Sequence, residues 1–194
     1  MTAVLPRDTL TRRAPLWVFG YGSLIWRPGF RFVERRPAVL HGWHRSFCIW
    51  STHYRGTPER PGLVLGLDRG GSVKGVAFRV AARDRPATLR YLRARELPTD
   101  VYVPRFVFLR LGGRRARALT FVVDKTRPSY TGKLPLAVQA RHIRHGQGRT
   151  GRNLDYLRNT VAHLEAAGVP DPRLRALLRR VQDFGLKRSS GGMR

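Results

Sequence analysis

The chain of 194 residues is long enough for one domain with a sizeable core, and 42% of it is apolar, which argues against a disordered chain. Its 38 basic against 12 acidic residues leave a formal charge of +26, and its one cysteine, Cys48, excludes an intrachain disulfide and any multi-cysteine zinc site. No apolar run reaches membrane-spanning length and residues 1–12 lack the apolar core of a signal peptide, so a cytoplasmic protein with no membrane partner is expected.

Such a charge first suggests a polyanion. Only four of the cations are lysines (Lys74, Lys125, Lys133 and Lys187), and the arginines are spread along the chain without one long basic run. That distribution marks no single binding face, so no specific nucleic-acid partner is expected. Anionic small molecules would still be drawn to the surface.

Residues 1–15 are polar and punctuated by Pro6 and Pro15, and read as a flexible arm. Residues 16–186 read as one domain. Trp17-Val18-Phe19 is a buried strand that opens into Gly20-Tyr21-Gly22-Ser23 and turns apolar again at Leu24-Ile25-Trp26. Two glycines at the end of a strand let backbone N–H groups approach a ligand closely, although an ordinary tight turn has the same pattern. Pro37 to Trp50 is aromatic-rich strand material with a bend at Gly42, and Thr52 to Gly62 is a loop rich in glycine and proline. Leu63–Leu67 and Val73–Val80 are expected to form a hairpin turned at Asp68-Arg69-Gly70-Gly71-Ser72.

A helix is predicted after Asp84, with Pro86 just inside it, ending before Pro98. Tyr102–Leu111 and Ala116–Asp124 make a second hairpin around Gly112-Gly113. From Pro135 the apolar period becomes helical, through Leu136, Val138, Ala140 and Ile143. Gly146 to Gly151 is expected to be a flexible loop. Leu154, Leu157, Val161 and Leu164 line a further helix closed by Gly168, and Leu174, Leu177, Leu178 and Val181 line the last, before a tail at residues 187–194. The fold class is α+β, a mostly antiparallel, barrel-like sheet with helices packed on it.

Familiar nucleophile, metal and phosphate motifs are absent from the sequence: there is no H-E-x-x-H, G-x-S-x-G or Walker loop. His142 and His145 lie three apart on a helix without a nearby acidic third ligand and read as a solvated face; no metal site is expected. Ser23 has no motif partner that would mark it as a nucleophile, and Cys48 reads as a core residue. Asp8 falls in the arm, Asp68 in a turn, Asp84 at a cap and Asp124 at a strand end, while Asp155, Glu165, Asp171 and Asp183 belong to the later helices. Glu34, Glu59, Glu96 and Asp100 remain. Glu96 closes its helix, where the dipole favours cations. It is either a surface glutamate paired with Arg93 or Arg95, or a functional group.

The chain resembles the ChaC family of γ-glutamylcyclotransferases. The resemblance rests on Trp17 to Trp26, on Tyr54-Arg55-Gly56-Thr57-Pro58-Glu59 with Pro61-Gly62, and on Arg95-Glu96 followed by Val101-Tyr102 and Pro104-Arg105. Tyr130, Gly132, Gly148, Gly151, Tyr156-Leu157 and Asn159-Thr160-Val161 complete it. It implies a lyase that cleaves glutathione to 5-oxoproline and cysteinylglycine without a cofactor. It further implies that Val18, Phe19, Gly20, Tyr21, Gly22, Ser23 and Leu24 hold the γ-glutamyl group and that Glu96 is the acid/base. Arg55 and Tyr130 are expected substrate contacts, because glutathione carries two carboxylates. Asp100 departs from the family pattern, and a second carboxylate four residues from Glu96 is expected either to raise its pKa or to repel an anionic substrate. A cyclotransferase acting on other γ-glutamyl amines is the alternative enzyme. A nucleic-acid-binding protein is the alternative of another class, and it leaves the glycine loop and Glu96 unexplained.

Overall fold

A computed structural model describes residues 15–97 and 101–189. Residues 1–14 of the expected arm, Asp100 and the last five residues lie outside the described residues. Strands β1 (Leu16–Gly20), β2 (Glu34–Ser51), β3 (Gly62–Val80), β4 (Tyr102–Leu111) and β5 (Arg114–Val123) close a barrel in the order β1-β3-β2-β4-β5. All neighbours are antiparallel except β1 and β5, which pair in parallel through Trp17–Ala118 and Val18–Leu119. The parallel pair closes the barrel and removes its free edge.

β1 shows why both sides of this wall are apolar. Leu16 and Val18 point outward into a cluster with Leu92, Leu119 and Phe121, while Phe19 points inward to join Phe47, Leu65 and Leu109. The outward cluster is covered by helix α1 (Arg85–Glu96), so α1 is anchored to the strand that leads into the glycine loop. Helices α2 (Leu136–His145), α3 (Asn153–Ala166) and α4 (Pro172–Ser189) pack around β3 and one another. Their Ile143, Leu157, Val161, Leu164, Leu177 and Val181 extend the main core. Among the described residues no helix is long and apolar enough to cross a membrane.

The expected hairpin at Asp68–Ser72 does not form. β3 is one continuous strand of 19 residues, paired with β2 on both sides of that stretch. The register shifts where Gly42, Gly70 and Gly71, all with positive φ, stand between the pairs His41–Ser72 and Trp43–Arg69. The glycines therefore make a bulge, in which two residues oppose one, and not a turn. Gly112 and Gly113, with φ of 53° and 86°, do turn a two-residue hairpin, as their type I′ conformation requires. Gly168 also behaves as expected: its N–H meets the Glu165 carbonyl and that of Val169 meets Leu164, the paired bonds of a Schellman end. Asp84 precedes α1, but its carboxylate makes no cap bond. The last helix continues to Ser189, past the expected start of the tail.

Candidate active site

β1 ends at Gly20, and Ser23–Ile25 follow as one turn of 3-10 helix, closed by the Ile25 N–H on the Gly22 carbonyl at 2.9 Å. The loop between them is held from two sides by arginines. From inside the barrel, Arg45 donates its Nε to the Tyr21 carbonyl at 2.5 Å, one Nη to the Lys74 carbonyl, and the other to Asp171 Oδ2 at 3.1 Å. Its side chain is only 1% exposed. The Tyr21–Gly22 peptide is trans, so fixing the carbonyl on Arg45 turns the Gly22 N–H to the opposite side.

From the other side comes Arg95, one residue before the end of α1. It donates Nη2 to Ser23 Oγ at 3.0 Å and Nη1 to the Tyr91 hydroxyl at 2.7 Å and to the Arg27 carbonyl. Its Nε lies 3.0 Å from Glu96 Oε1. The glycine loop and Glu96, 72 residues apart at Ser23 and Arg95, are thus joined through one guanidinium. The expected pairing of Glu96 with Arg95 is present. The pair is largely buried and is not a surface one: the Glu96 side chain is 18% exposed.

Burial raises the proton affinity of the Glu96 carboxyl, with the charge and hydrogen bond of Arg95 opposing it. The phenols of Tyr21, Tyr102 and Tyr156 are likewise pushed up, by burial first and with the negative charge of Glu96 adding to it. Three neutral hydroxyls therefore surround one carboxylate. The Tyr102 hydroxyl donates to the Leu65 carbonyl at 2.8 Å, which ties the ring to β3.

Two neighbouring spaces share this carboxylate in their walls. The inner one, about 60 Å³, is lined by Tyr21, Gly22, Ser23 and Leu24 together with Leu65, Glu96, Tyr102, Phe121 and Tyr156. The outer cleft, about 780 Å³, shares Glu96, Tyr102 and Tyr156 and adds Trp50, His53, Tyr54, Arg55, Arg95, Arg149 and Thr150, among others. A carboxyl of raised proton affinity in the walls of both spaces, with neutral hydroxyls beside it, is suited to passing a proton in both directions.

The far wall of the cleft is made by the segment between β2 and β3 and by a hairpin over residues 147–152. This hairpin has strands β6 (Gln147–Gly148) and β7 (Gly151–Arg152), where a flexible loop was expected. The Arg149 N–H meets the His53 carbonyl at 2.8 Å, the Thr150 N–H meets Tyr54 at 3.1 Å, and Arg55 Nη1 meets the Thr150 carbonyl at 2.7 Å. A Cβ on Gly148 would lie 2.6 Å from the His53 carbonyl oxygen, so only glycine lets the two backbones meet. Below them Asn153 clasps β3: the Leu63 N–H donates to its Oδ1 and its Nδ2 donates to the Leu63 carbonyl, both at 2.7 Å.

Of the residues expected to bind substrate, Tyr21, Gly22, Ser23 and Leu24 line the inner chamber and Arg55 lines the outer cleft. Val18 and Phe19 are fully buried in the cores on either side of β1, beneath the loop. Gly20 lies under the turn, where an added Cβ would stand 3.1 Å from that of Leu24. Tyr130 lines neither space. Its hydroxyl donates to Asp68 Oδ2 at 2.8 Å, and Lys125 Nζ stands 2.6 Å from Oδ1, so Asp68 is a buried anchor in β3 and not a turn residue. Cys48 is buried, its thiol pushed up to about 12 by burial first. Its place in the core is as expected. His142 departs from the solvated face: its Nδ1 donates to the Pro61 carbonyl at 3.0 Å and its ring meets Trp50 edge-on. Arg45, Asn153, Tyr102 and Tyr156 were missed as site residues. For Arg45 a signal existed, since Trp43, Arg45 and Phe47 alternate onto one buried face.

Residues 16–184 match the family model described as ChaC-like protein. The chain is 38% identical over 165 residues to the glutathione-specific γ-glutamylcyclotransferase of Escherichia coli (strain K12), an alignment that spans 84% of this chain and 71% of that protein. It is 33% identical over 172 residues to the glutathione-specific γ-glutamylcyclotransferase 1 of Homo sapiens, across 86% and 77% of the two chains. The crystal structure of a γ-glutamyl cyclotransferase specific to glutathione from yeast shares the fold, with a TM-score of 0.78 and 23% identity over 88% of this chain and 97% of that one.

Proposed function

The chain belongs to the ChaC-like protein family, and on that premise we propose that it is a cytoplasmic enzyme that cleaves glutathione to 5-oxoproline and cysteinylglycine. The observation that carries the reading is the joining of two distant motifs, in which Arg95 holds Ser23 of the glycine loop and the carboxylate of Glu96 at once.

The reaction needs no nucleophile from the protein. The substrate's α-amine attacks its own γ-carbonyl, an intramolecular step whose rate rests on holding the glutamyl chain curled. The α-amino-acid end lies against Tyr21, Gly22 and Ser23, with the Gly22 N–H turned toward the developing oxyanion or the α-carboxylate. Glu96 takes a proton as the amine attacks, the tetrahedral intermediate collapses, and Glu96 returns the proton to the departing cysteine nitrogen. One N–C bond forms and one breaks. No water, oxidant or cofactor enters the balance. The neutral phenols of Tyr21, Tyr102 and Tyr156 keep the site polar without adding charge.

Incubation with glutathione and, separately, with γ-glutamylalanine tests this reading. Both products are expected from glutathione, with a much lower kcat/KM for γ-glutamylalanine; preferential turnover of the latter would favour a cyclotransferase for other γ-glutamyl amines.

The pH profile follows from the direction of the Glu96 shift. The base form is the carboxylate, so kcat/KM rises as pH passes through its pKa. Burial moves that midpoint above the ordinary glutamate value of about 4.3. Arg95 favours the ionised form, so Arg95→Gln moves the acidic limb to still higher pH. An unmoved limb in that variant, measured as kcat/KM between pH 4 and 8, would remove Arg95 from this role.

A further inference from the structure

The outer cleft is cationic in a specific way. Among the described residues its lining includes Arg55, Arg95 and Arg149 and a single carboxylate, Glu96. Arg95 is committed to Glu96, Ser23, Tyr91 and Arg27. Arg55 gives Nη1 to the Thr150 carbonyl and lies with its guanidinium 4.9 Å from the centre of the Tyr156 ring, so it stands next to the inner chamber. Arg149 differs from both. It sits at the turn of the β6–β7 hairpin with its backbone fixed to His53, its guanidinium is 5.8 Å from the Tyr54 ring centre, and among the described residues that guanidinium has neither a hydrogen bond like that of Arg55 to Thr150 nor an ion pair like that of Arg95 with Glu96.

Resting on the reading of the site as a glutathione-cleaving one, we infer that Arg149 is a specificity-determining residue that receives the terminal carboxylate of the departing cysteinylglycine. The glutamyl end of the substrate occupies the inner chamber and the scissile amide lies at Glu96, so the leaving dipeptide must run outward along the cleft. Two residues reach at most about 7 Å, so the group that receives the terminal carboxylate belongs to the lining of the cleft itself. On that wall, among the described residues, Arg149 is the cation whose guanidinium is held by neither a hydrogen bond nor an ion pair. Its backbone is held by the seam with His53 and Tyr54, so a bidentate grip on a carboxylate costs little loop ordering. The wall residues Thr52 and Thr150 carry no charge.

The consequence is a preference for γ-glutamyl substrates that end in a carboxylate at that distance. Wild type is expected to turn over glutathione with kcat/KM about tenfold or more above that for its C-terminal amide, γ-glutamyl-cysteinyl-glycinamide, mainly through KM. In Arg149→Gln that ratio falls to about 2, and Arg149→Lys restores part of it. The ratio is taken within one protein sample, so a loss of folded enzyme cancels, and a merely structural role for Arg149 would leave it unchanged. Equal turnover of both substrates by wild type, or an unaltered ratio in Arg149→Gln, would overturn the assignment of Arg149 and leave the glutathione reading standing. Turnover of neither substrate would overturn both.

Discussion

Replacing Glu96 by glutamine lowers kcat for 5-oxoproline release from glutathione by about a thousandfold, with KM within a few-fold of wild type. The size follows from removing the group that both accepts and returns the proton, a contribution of about 10²–10⁴ in positioned acid–base catalysis. Glutamine keeps the shape of the side chain, and Arg95 keeps its bonds to Ser23, Tyr91 and Arg27, so the glycine loop stays in place. Stability is expected to move the other way. Because the folded-state pKa of Glu96 is raised above its unfolded value, the protonated form is the one that folding favours. The advantage is present below the unfolded pKa and is lost as pH rises through the folded one, so ionised Glu96 is a burden at pH 7. Glu96→Gln should therefore melt no lower than wild type at pH 7, with the two converging near pH 4. A variant that loses activity because it unfolds would contradict this, and so would one that keeps full kcat.

The second large effect is at Arg45. Arg45→Met leaves Asp171 without its cation and frees the carbonyls of Tyr21 and Lys74. Removing one partner of a buried ion pair costs about 3–5 kcal/mol. For a chain of this size that is a fall in Tm on the order of 10 °C. Asp171 also accepts the N–H groups of Arg173 and Leu174 and so caps α4, a role asparagine can keep. The double variant Arg45→Met with Asp171→Asn removes the orphaned charge and should recover part of the lost stability. It should not recover activity, because the Tyr21–Gly22 peptide is still unpinned, and kcat/KM should remain reduced by about tenfold or more at temperatures where the protein is folded. Recovery of both together would reduce Arg45 to a purely structural residue.

These two residues differ in how visible they are from sequence. The glycine loop is legible because a buried strand running into Gly20 and Gly22 is a local pattern, and Glu96 because it sits against its helix dipole. What joins and supports them is not local: Arg95 meets Ser23 across 72 residues. Arg45 meets Asp171 across 126 residues, and Asn153 meets Leu63 across 90. Asp68–Ser72 shows the complementary difficulty. Gly70-Gly71 can turn a hairpin or bulge a strand with the same positive φ, and only the continuous partner β2 decides between them. The Tyr130 hydroxyl likewise meets Asp68 across 62 residues, a partner no local pattern announces. The Gly146–Gly151 segment reads as flexible because its order comes from His53 and Tyr54, far earlier in the chain.

The central claim is that one carboxylate, joined to the glycine loop through Arg95, cyclises the γ-glutamyl end of glutathione. The most direct measurement is the time course of 5-oxoproline and cysteinylglycine from purified wild type and Glu96→Gln with glutathione alone. Equal amounts of the two products from wild type, and almost none from the variant, are expected. Glutamate in place of 5-oxoproline, or comparable product from both proteins, would contradict it.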